Sequence, residues 1–370
     1  MRPFDRSGGP RGKGRKSLPA STAGEHARLR TTTVRSPHAE RDERCRRPLG
    51  RSCRGVPGEP AHAGRSPGRR VVNVVTDGRT VVGFDGSSSA WRALDWATDR
   101  VAQRGGVLEV VHAVDTRLGG AVLGPRFGLD AGVDIGLREA MGHVRAMAPG
   151  VTVETRWVEG PPANALLRES ATAALLVVGT DKRPDRPGTR IGTLPLKLAA
   201  KSDCPVAVIP DAPRPERNVV VVGVDRSGFA RSALALAVTE ASWRDAQIEA
   251  VHAWDVPEAL QRALDSGEGA DPAFLEREHE VIPDAIADVP IARAAKITPI
   301  VVRQNPAAAL VEHGAGAAAI VVGSRGRGRF VASLLGSVSH DVLLNLPCPV
   351  LVTPRDYGFV TPGSADDSDW

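Results

Sequence analysis

From about residue 71 the chain alternates between short, nearly unbroken apolar runs and longer stretches whose apolar residues recur every three or four positions. The runs are bounded by glycine and proline and do not alternate strictly, which marks parallel strands covered on both faces. Between the first two runs, Trp91, Leu94, Ala97 and Val101 fall on one helical face, with Ser87–Ser89 placed to cap it. Phe229, Ala233, Leu236 and Ala237 hold the corresponding place later in the chain. Further helices are predicted over about 135–147 and 272–288, with strands following at about 151–158 and 297–303. Pro161–Pro162 and Pro306 then open two more helices, because proline suits a first helical turn. Strand and helix in strict alternation predict a doubly wound, parallel-sheet α/β fold.

The whole pattern occurs twice. VVGFDGS at 81–87 recurs as VVGVDRS at 221–227, and VVHAVD at 110–115 recurs as AVHAWD at 250–255. LLVVGT at 175–180 recurs as AIVVGS at 319–324, and CPVAVIP at 204–210 as CPVLVTP at 348–354. The offsets are 140, 140, 144 and 144 residues, so two copies of one domain stand head to tail. The predicted boundaries are a basic arm over 1–70, copy one over 71–210, a linker over 211–217, copy two over 218–355 and an acidic tail over 356–370. PDAPRPER at 210–217, with three prolines, suits a short stiff joint.

Charge separates the arm from the body. The chain of 370 residues carries a net +5, but residues 1–70 hold 18 Lys and Arg against 6 Asp and Glu. The high isoelectric point thus belongs to the arm, and the remainder is acidic. The arm has only seven large apolar residues, too few to offset chain entropy, and is expected to be disordered. Such an arm binds nucleic acid or an acidic partner through counterion release, or is a solvated tail or sequence upstream of the true start. Cys45 and Cys53, with His38 and His62 nearby, lack zinc-finger spacing. Four cysteines exclude a disulfide scaffold. The longest apolar runs, such as AALLVVG at 173–179, fall far short of the ~18–20 residues that cross a bilayer. The basic start has no apolar stretch of a secretory signal, and the expected compartment is the cytoplasm.

The candidate chemistry lies in copy two. In a doubly wound sheet, ligands bind beyond the carboxyl ends of the strands, where the strand order reverses. Asp225 follows the first strand of that copy, and a glycine-rich loop, GSRGRGRF, begins where AIVVG ends. Its spacing is Gly-x2-Gly-x9-Gly-Ser, through Gly323, Gly326, Gly336 and Ser337. Glycine allows positive φ and close approach of backbone amides to an anion. Gly336–Ser337 opens a helix whose unpaired amides and dipole face that anion. The hydroxyls of Ser337 and Ser339 add donors, and Arg325, Arg327 and Arg329 add positive charge. Asp225 is placed to accept from a ribose hydroxyl or to hold Mg2+ through water. Together these fit an adenine nucleotide. A tight turn and a helix-capping Asp are the plainer reading of each feature taken alone.

These residues resemble the universal stress protein family in its tandem two-domain form, over roughly 71–355. The resemblance implies two tandem Rossmann-like domains of the adenine nucleotide alpha hydrolase type. It implies ATP, with Mg, as the ligand of members that carry this glycine signature. It also implies Asp225 at the ribose and metal, Ala253 as a backbone contact to adenine, and Val322, Gly323, Arg325, Gly326, Gly336, Ser337, Val338 and Ser339 around phosphate and ribose. The last strand of each copy is implied to pair with the other, giving an intramolecular pseudo-dimer that can dimerise again. Copy one departs from the signature. It offers Asp85, Gly179, Lys182, Gly192 and Thr193, with Lys182 where the second glycine belongs and Pro184 and Pro187 in the loop. If that glycine must adopt positive φ, lysine costs ~1–2 kcal/mol, about tenfold in affinity. Copy one is therefore expected to bind nucleotide weakly or not at all, with Lys182 compensating in part as a phosphate cation.

His112 and His252 repeat on one strand, without Ser/Asp or metal partners in the sequence, and are read as partly buried strand residues. Cys204 and Cys348 are read as small buried apolar groups. Trp91, Trp96, Trp157, Trp243 and Trp254 are read as core or interface. No general base or activated nucleophile stands out, so an ATP-dependent regulatory or binding module in stress response is expected before an enzyme, with slow ATP hydrolysis at most. The alternatives are an interaction module that binds no nucleotide, nucleic-acid binding through the arm, and a nucleotidyl-transfer enzyme. The absence of His-x-x-His and GxxxxGK[ST] disfavours the last.

Overall fold

The computed structural model describes residues 78–115, 129–183, 191–212, 215–255, 272–326, 335–354 and Tyr357. The arm expected over 1–70, with its cysteines and histidines, lies outside the described residues, as do Pro184, Pro187, Arg327 and Arg329. Copy one runs β1 (Arg79–Gly83), α1 (Ser88–Arg104), β2 (Val107–Val114), α2 (Leu129–Met147), β3 (Thr152–Glu159), α3 (Pro162–Ser170), β4 (Leu175–Gly179), α4 (Thr193–Lys201) and β5 (Val206–Ile209). Copy two runs β6 (Arg217–Gly223), α5 (Gly228–Arg244), β7 (Gln247–Trp254), α6 (Pro272–Asp288), β8 (Ile297–Arg303), α7 (Pro306–His313), β9 (Ala317–Gly323), α8 (Ser337–Asn345) and β10 (Val350–Thr353). Among the described residues no helix is long and apolar enough to cross a membrane.

The alternation of strand side chains explains the two layers of helices. Val220 and Val222 bury on one face, and Val219 and Val221 on the other. The first face is covered by α1, α2, α5 and α6, the second by α3, α4, α7 and α8. Helix starts follow local chemistry: the Ser87 and Ser227 hydroxyls accept from the amides of Ala90 and Ala230 at 3.2 and 3.1 Å. Asn305 accepts from the amides of Ala307 and Ala308 just ahead of Pro306. The second helix begins at Leu129 and not near 135, because Val133 packs one turn ahead of Leu137, Ala140 and Val144 and extends their stripe backward.

All ten strands form one sheet in the order β3-β2-β1-β4-β5-β10-β9-β6-β7-β8. Within each copy the pairing is parallel, and the order reverses between β1 and β4 and between β6 and β9. The joint is antiparallel: Val350 pairs with Val208, Leu351 with Ala207 and Val352 with Val206. The two CPVxVxP strands therefore close on each other. Cys204 and Cys348, just before them, are buried free thiols, and burial pushes them up to about 11 and about 12. Trp91 stands edge-on to Phe84, and Trp254 edge-on to Phe274. Trp157 departs from the core or interface expected of it, being 40% exposed on the outer strand β3.

Beside this joint a buried ion pair spans the copies. The Arg100 guanidinium donates to both carboxylate oxygens of Glu240, and Arg104 donates to the same carboxylate at 3.1 Å. The Trp243 indole adds a fourth donor, and Arg244 stacks 4.0 Å over that ring. Tyr357 is buried in the same core layer, although the sequence placed it in an acidic tail. Burial alone raises the Glu240 carboxyl, but the charges and hydrogen bonds of Arg100 and its neighbours outweigh it, so its pKa is lowered.

Two outcomes follow from the joint. Leu351→Ala, which hollows out a fully buried position of β10, is expected to lower stability by about 2–5 kcal/mol in urea unfolding. Glu240 is held below the ordinary glutamate value, so its contribution is complete above about pH 4.3 and is lost as pH falls through the native value. Thermal melts across pH 3–6, a range set by that value, are expected to show a steep acid limb in the natural protein. Glu240→Gln is expected to start lower and to show a shallower limb.

Candidate functional site

The reversal of strand order between β6 and β9 opens a cavity of about 570 Å3. Its floor is the end of β6, where the Val224 amide donates to the Val251 carbonyl at 2.9 Å and hands the chain to Asp225. Asp225 turns back on the start of α5: its Oδ1 accepts from the Ser227 amide and hydroxyl. Its Oδ2 faces the loop after β9, so a Cβ on Gly326 would lie 2.8 Å from it. Val251, Ala253, Pro306, Leu310, Val322 and Leu335 give the cavity an apolar side; Asp225, Arg325, Gly326, Gly336 and Ser337 give it a polar one. Asp225, Ala253, Val322, Gly323, Arg325, Gly326, Gly336, Ser337, Val338 and Ser339, all expected around a ligand, line this one hollow, while Arg327 and Arg329 lie outside the described residues.

The glycines of the signature are needed for contact and not for positive φ. Gly326 and Gly336 are absent from the residues with φ above zero, and Gly336 has φ −66°. A Cβ on Gly323 would meet Phe229 at 2.6 Å, and one on Gly336 would come within 3.1 Å of the Arg325 backbone. The 1–2 kcal/mol assigned above to a left-handed lysine therefore does not describe this loop. What a side chain would disturb is the approach of loop, helix start and Asp225.

The loop is latched at both ends. The Ser324 amide donates to the Thr353 carbonyl at 2.8 Å, and the Ser324 carbonyl accepts from the Gly336 amide at 2.8 Å. The Ser339 hydroxyl donates to the Ser324 or Gly336 carbonyl, 3.2 and 3.0 Å away. Ser339 is buried, with its hydroxyl engaged by backbone carbonyls at the edge of the hollow. Ser337 is exposed, and Gly336 supplies no side-chain cap to the first turn of α8. The amides of that turn have no carbonyl within the helix to bond.

The hollow is also lined by a group that the sequence did not connect. His252 is 5% exposed; its Nδ1 lies 2.8 Å from the Val224 carbonyl and its Nε2 2.7 Å from Glu278. Arg226 donates to the other oxygen of Glu278 at 3.0 Å. Burial pushes the Glu278 carboxyl up, but the hydrogen bonds from His252 and Arg226 prevail and its pKa is lowered. The signal for this group was weak, because Glu278 sits 26 residues beyond His252, across a connection with no motif.

Copy one uses its corresponding loop differently. Asp85 accepts from the Ser87 amide as Asp225 does from Ser227, and Gly179 packs against Ser89 as Gly323 does against Phe229. The Thr180 amide meets the Ile209 carbonyl at 2.9 Å. There the likeness ends: the Thr180 carbonyl accepts from Arg92, and the Lys182 carbonyl from the Asp211 amide at 3.0 Å. Gly192 adopts φ +81°, where its counterpart Gly336 is extended. Asp85 thus follows β1, Gly179 ends β4 with Lys182 just beyond it, and Gly192 and Thr193 open α4; of the copy-two latch, only the bond from the strand-end amide recurs among the described residues.

Comparison with known proteins agrees with this architecture. The sequence model of the universal stress protein family matches residues 78–210 and again 216–354. Universal stress protein Rv2005c of Mycobacterium tuberculosis H37Rv is 33% identical over 298 residues, covering 74% of this chain and 95% of its own length. Universal stress protein Rv2623 of the same organism is 33% identical over 288 residues, with the same coverage. Among solved structures, a universal stress protein from Archaeoglobus fulgidus superimposes with a TM-score of 0.54 at 18% identity, over 75% of this chain and 98% of that one. The double match and the identity over nearly the full length of these relatives place the chain in the universal stress protein family, in its tandem two-domain form.

Proposed function

We propose that copy two binds ATP and that the protein acts as a nucleotide-dependent regulatory or binding module in the stress response, in the cytoplasm. The observation that carries this reading is the hollow at the β6–β9 reversal, where Gly326 lies against Asp225 and Gly336 lies against the Arg325–Gly326 backbone. The residues fit the ligand. The first-turn amides of α8 and the Gly326 backbone suit a phosphate chain, and Arg325 adds charge at the rim. The apolar side, with the Ala253 backbone on β7, suits a base, and Asp225 suits a ribose hydroxyl. Mg2+ would arrive on the triphosphate, with Asp225 nearby; among the described residues no group of three His, Cys, Asp or Glu could hold a metal alone. No side chain is assigned to attack a phosphate, and turnover is not part of the proposal.

A second reading applies to copy one: a structural partner that binds nucleotide weakly or not at all. The Thr180 carbonyl and the Lys182 backbone are already engaged by Arg92 and Asp211, which favours this reading.

Calorimetry with MgATP on the full chain tests both readings. The expected stoichiometry is one ATP per chain. Gly326→Val, whose Cβ would press on Asp225, is expected to weaken binding at least ~10-fold, equivalent to ~1.4 kcal/mol, while the melting temperature without ligand stays near that of the natural protein. Unchanged affinity in Gly326→Val, or two equal sites per chain, would count against the assignment.

A further inference from the structure

The joint between the copies is built around a pseudo-twofold axis. At its centre Leu351 pairs with Ala207, and these two are the same position of the repeat, 144 residues apart. The offset of the first-strand motifs is 140 residues, and Arg100 and Glu240 are separated by the same 140. One position of the repeat therefore meets itself across the axis, as arginine on α1 and as glutamate on α5. Both side chains are nearly sealed from water, at 5% and 2% exposure. The flanking position repeats too, as Arg104 and Arg244, and both of these guanidinium groups lie close to Glu240.

Two copies of one domain joined in this way have three ways to pair. Copy one against a second copy one would set Arg100 against Arg100, with two Arg104 side chains beside them and no acid at that position. Copy two against copy two would bring two Glu240 carboxylates together in a buried seam. Only unlike copies set opposite charges at that position itself; in a pairing of two copies two, each carboxylate would face the other, with the flanking Arg244 side chains as its counter-charges. A buried charge without its partner is strongly unfavourable, whereas a hydrogen-bonded pair is tolerated. We propose that the Arg100–Glu240 position selects the partner of each copy, so that copy one accepts copy two and rejects its own kind. The surface of β5 and α1 then admits a domain of this fold only if that domain carries an acid where copy two has Glu240. Sequence similarity between the copies makes such a selector useful, because their strands and apolar faces alone match like with like equally well.

Charge exchange in the full chain tests this. Arg100→Glu and Glu240→Arg each create like charges in every pairing, within and between chains, and each is expected to lower the melting temperature by roughly 5–15 °C. The double variant Arg100→Glu/Glu240→Arg restores the opposite pair, and the repeated arginines at 104 and 244 supply equivalent neighbours on either side. It is expected to regain more than half of the loss, the remainder reflecting the Trp243 and Thr80 hydrogen bonds, which have no counterpart in the other copy. The two single variants, mixed in equal amounts, are expected to give a one-to-one dimer by native mass spectrometry, because glutamate at 100 of one chain meets arginine at 240 of the other. A double variant no more stable than the weaker single one, including one that does not fold, would overturn the proposal. So would a mixture in which the two single variants stay apart.

Discussion

Three close approaches around the end of β9 crowd a Cβ, and they shape the candidate site. Gly323 lets the start of α5 lie against the strand end, Gly326 lets the loop reach Asp225, and Gly336 lets the start of α8 return to the Arg325 backbone. Each contact pulls a different element toward the reversal of strand order, which is where a parallel α/β sheet opens at its surface. The Ser324 carbonyl, which accepts from the Gly336 amide and the Ser339 hydroxyl, then ties the two ends of the loop together. Copy one keeps the first of these contacts, at Gly179, and replaces the others with Arg92 and Asp211. One fold thus carries a hollow in one half and different contacts at the corresponding loop ends in the other.

The same economy of repetition shapes the assembly. A ten-stranded sheet forms because the last strand of each copy needs a neighbour and finds the same strand of the other copy, run antiparallel. An unpaired edge at that place would be a template for foreign strands. The buried polar cluster around Glu240 adds direction to an otherwise self-complementary apolar seam.

Much of this was legible in the sequence. The strand runs and their offsets gave the tandem order, and the helices over 272–288 and the strands over 297–303 stand where the apolar period put them. The signature spacing brought together residues that do share one cavity. What stayed hidden depended on side chains distant in sequence. Nothing local marks Arg100 and Glu240 as partners, since their pairing depends on α1 and α5 meeting across the axis. His252 looked solitary because its partner Glu278 belongs to a helix that starts after an unpatterned stretch. The need for glycine at 326 was seen, but its reason was misread: dihedral freedom and close approach leave the same letter in a sequence.

Bare backbone near Gly326 and the first turn of α8 is the proposed seat of a triphosphate. A crystal structure of the full chain grown with excess MgATP is the decisive measurement. Phosphate oxygens are expected within hydrogen-bond distance of the amides at 326 and 337–338, and the base against the β7 side of the same hollow. A hollow left empty under those conditions, or a nucleotide bound elsewhere on the chain, would contradict that placement.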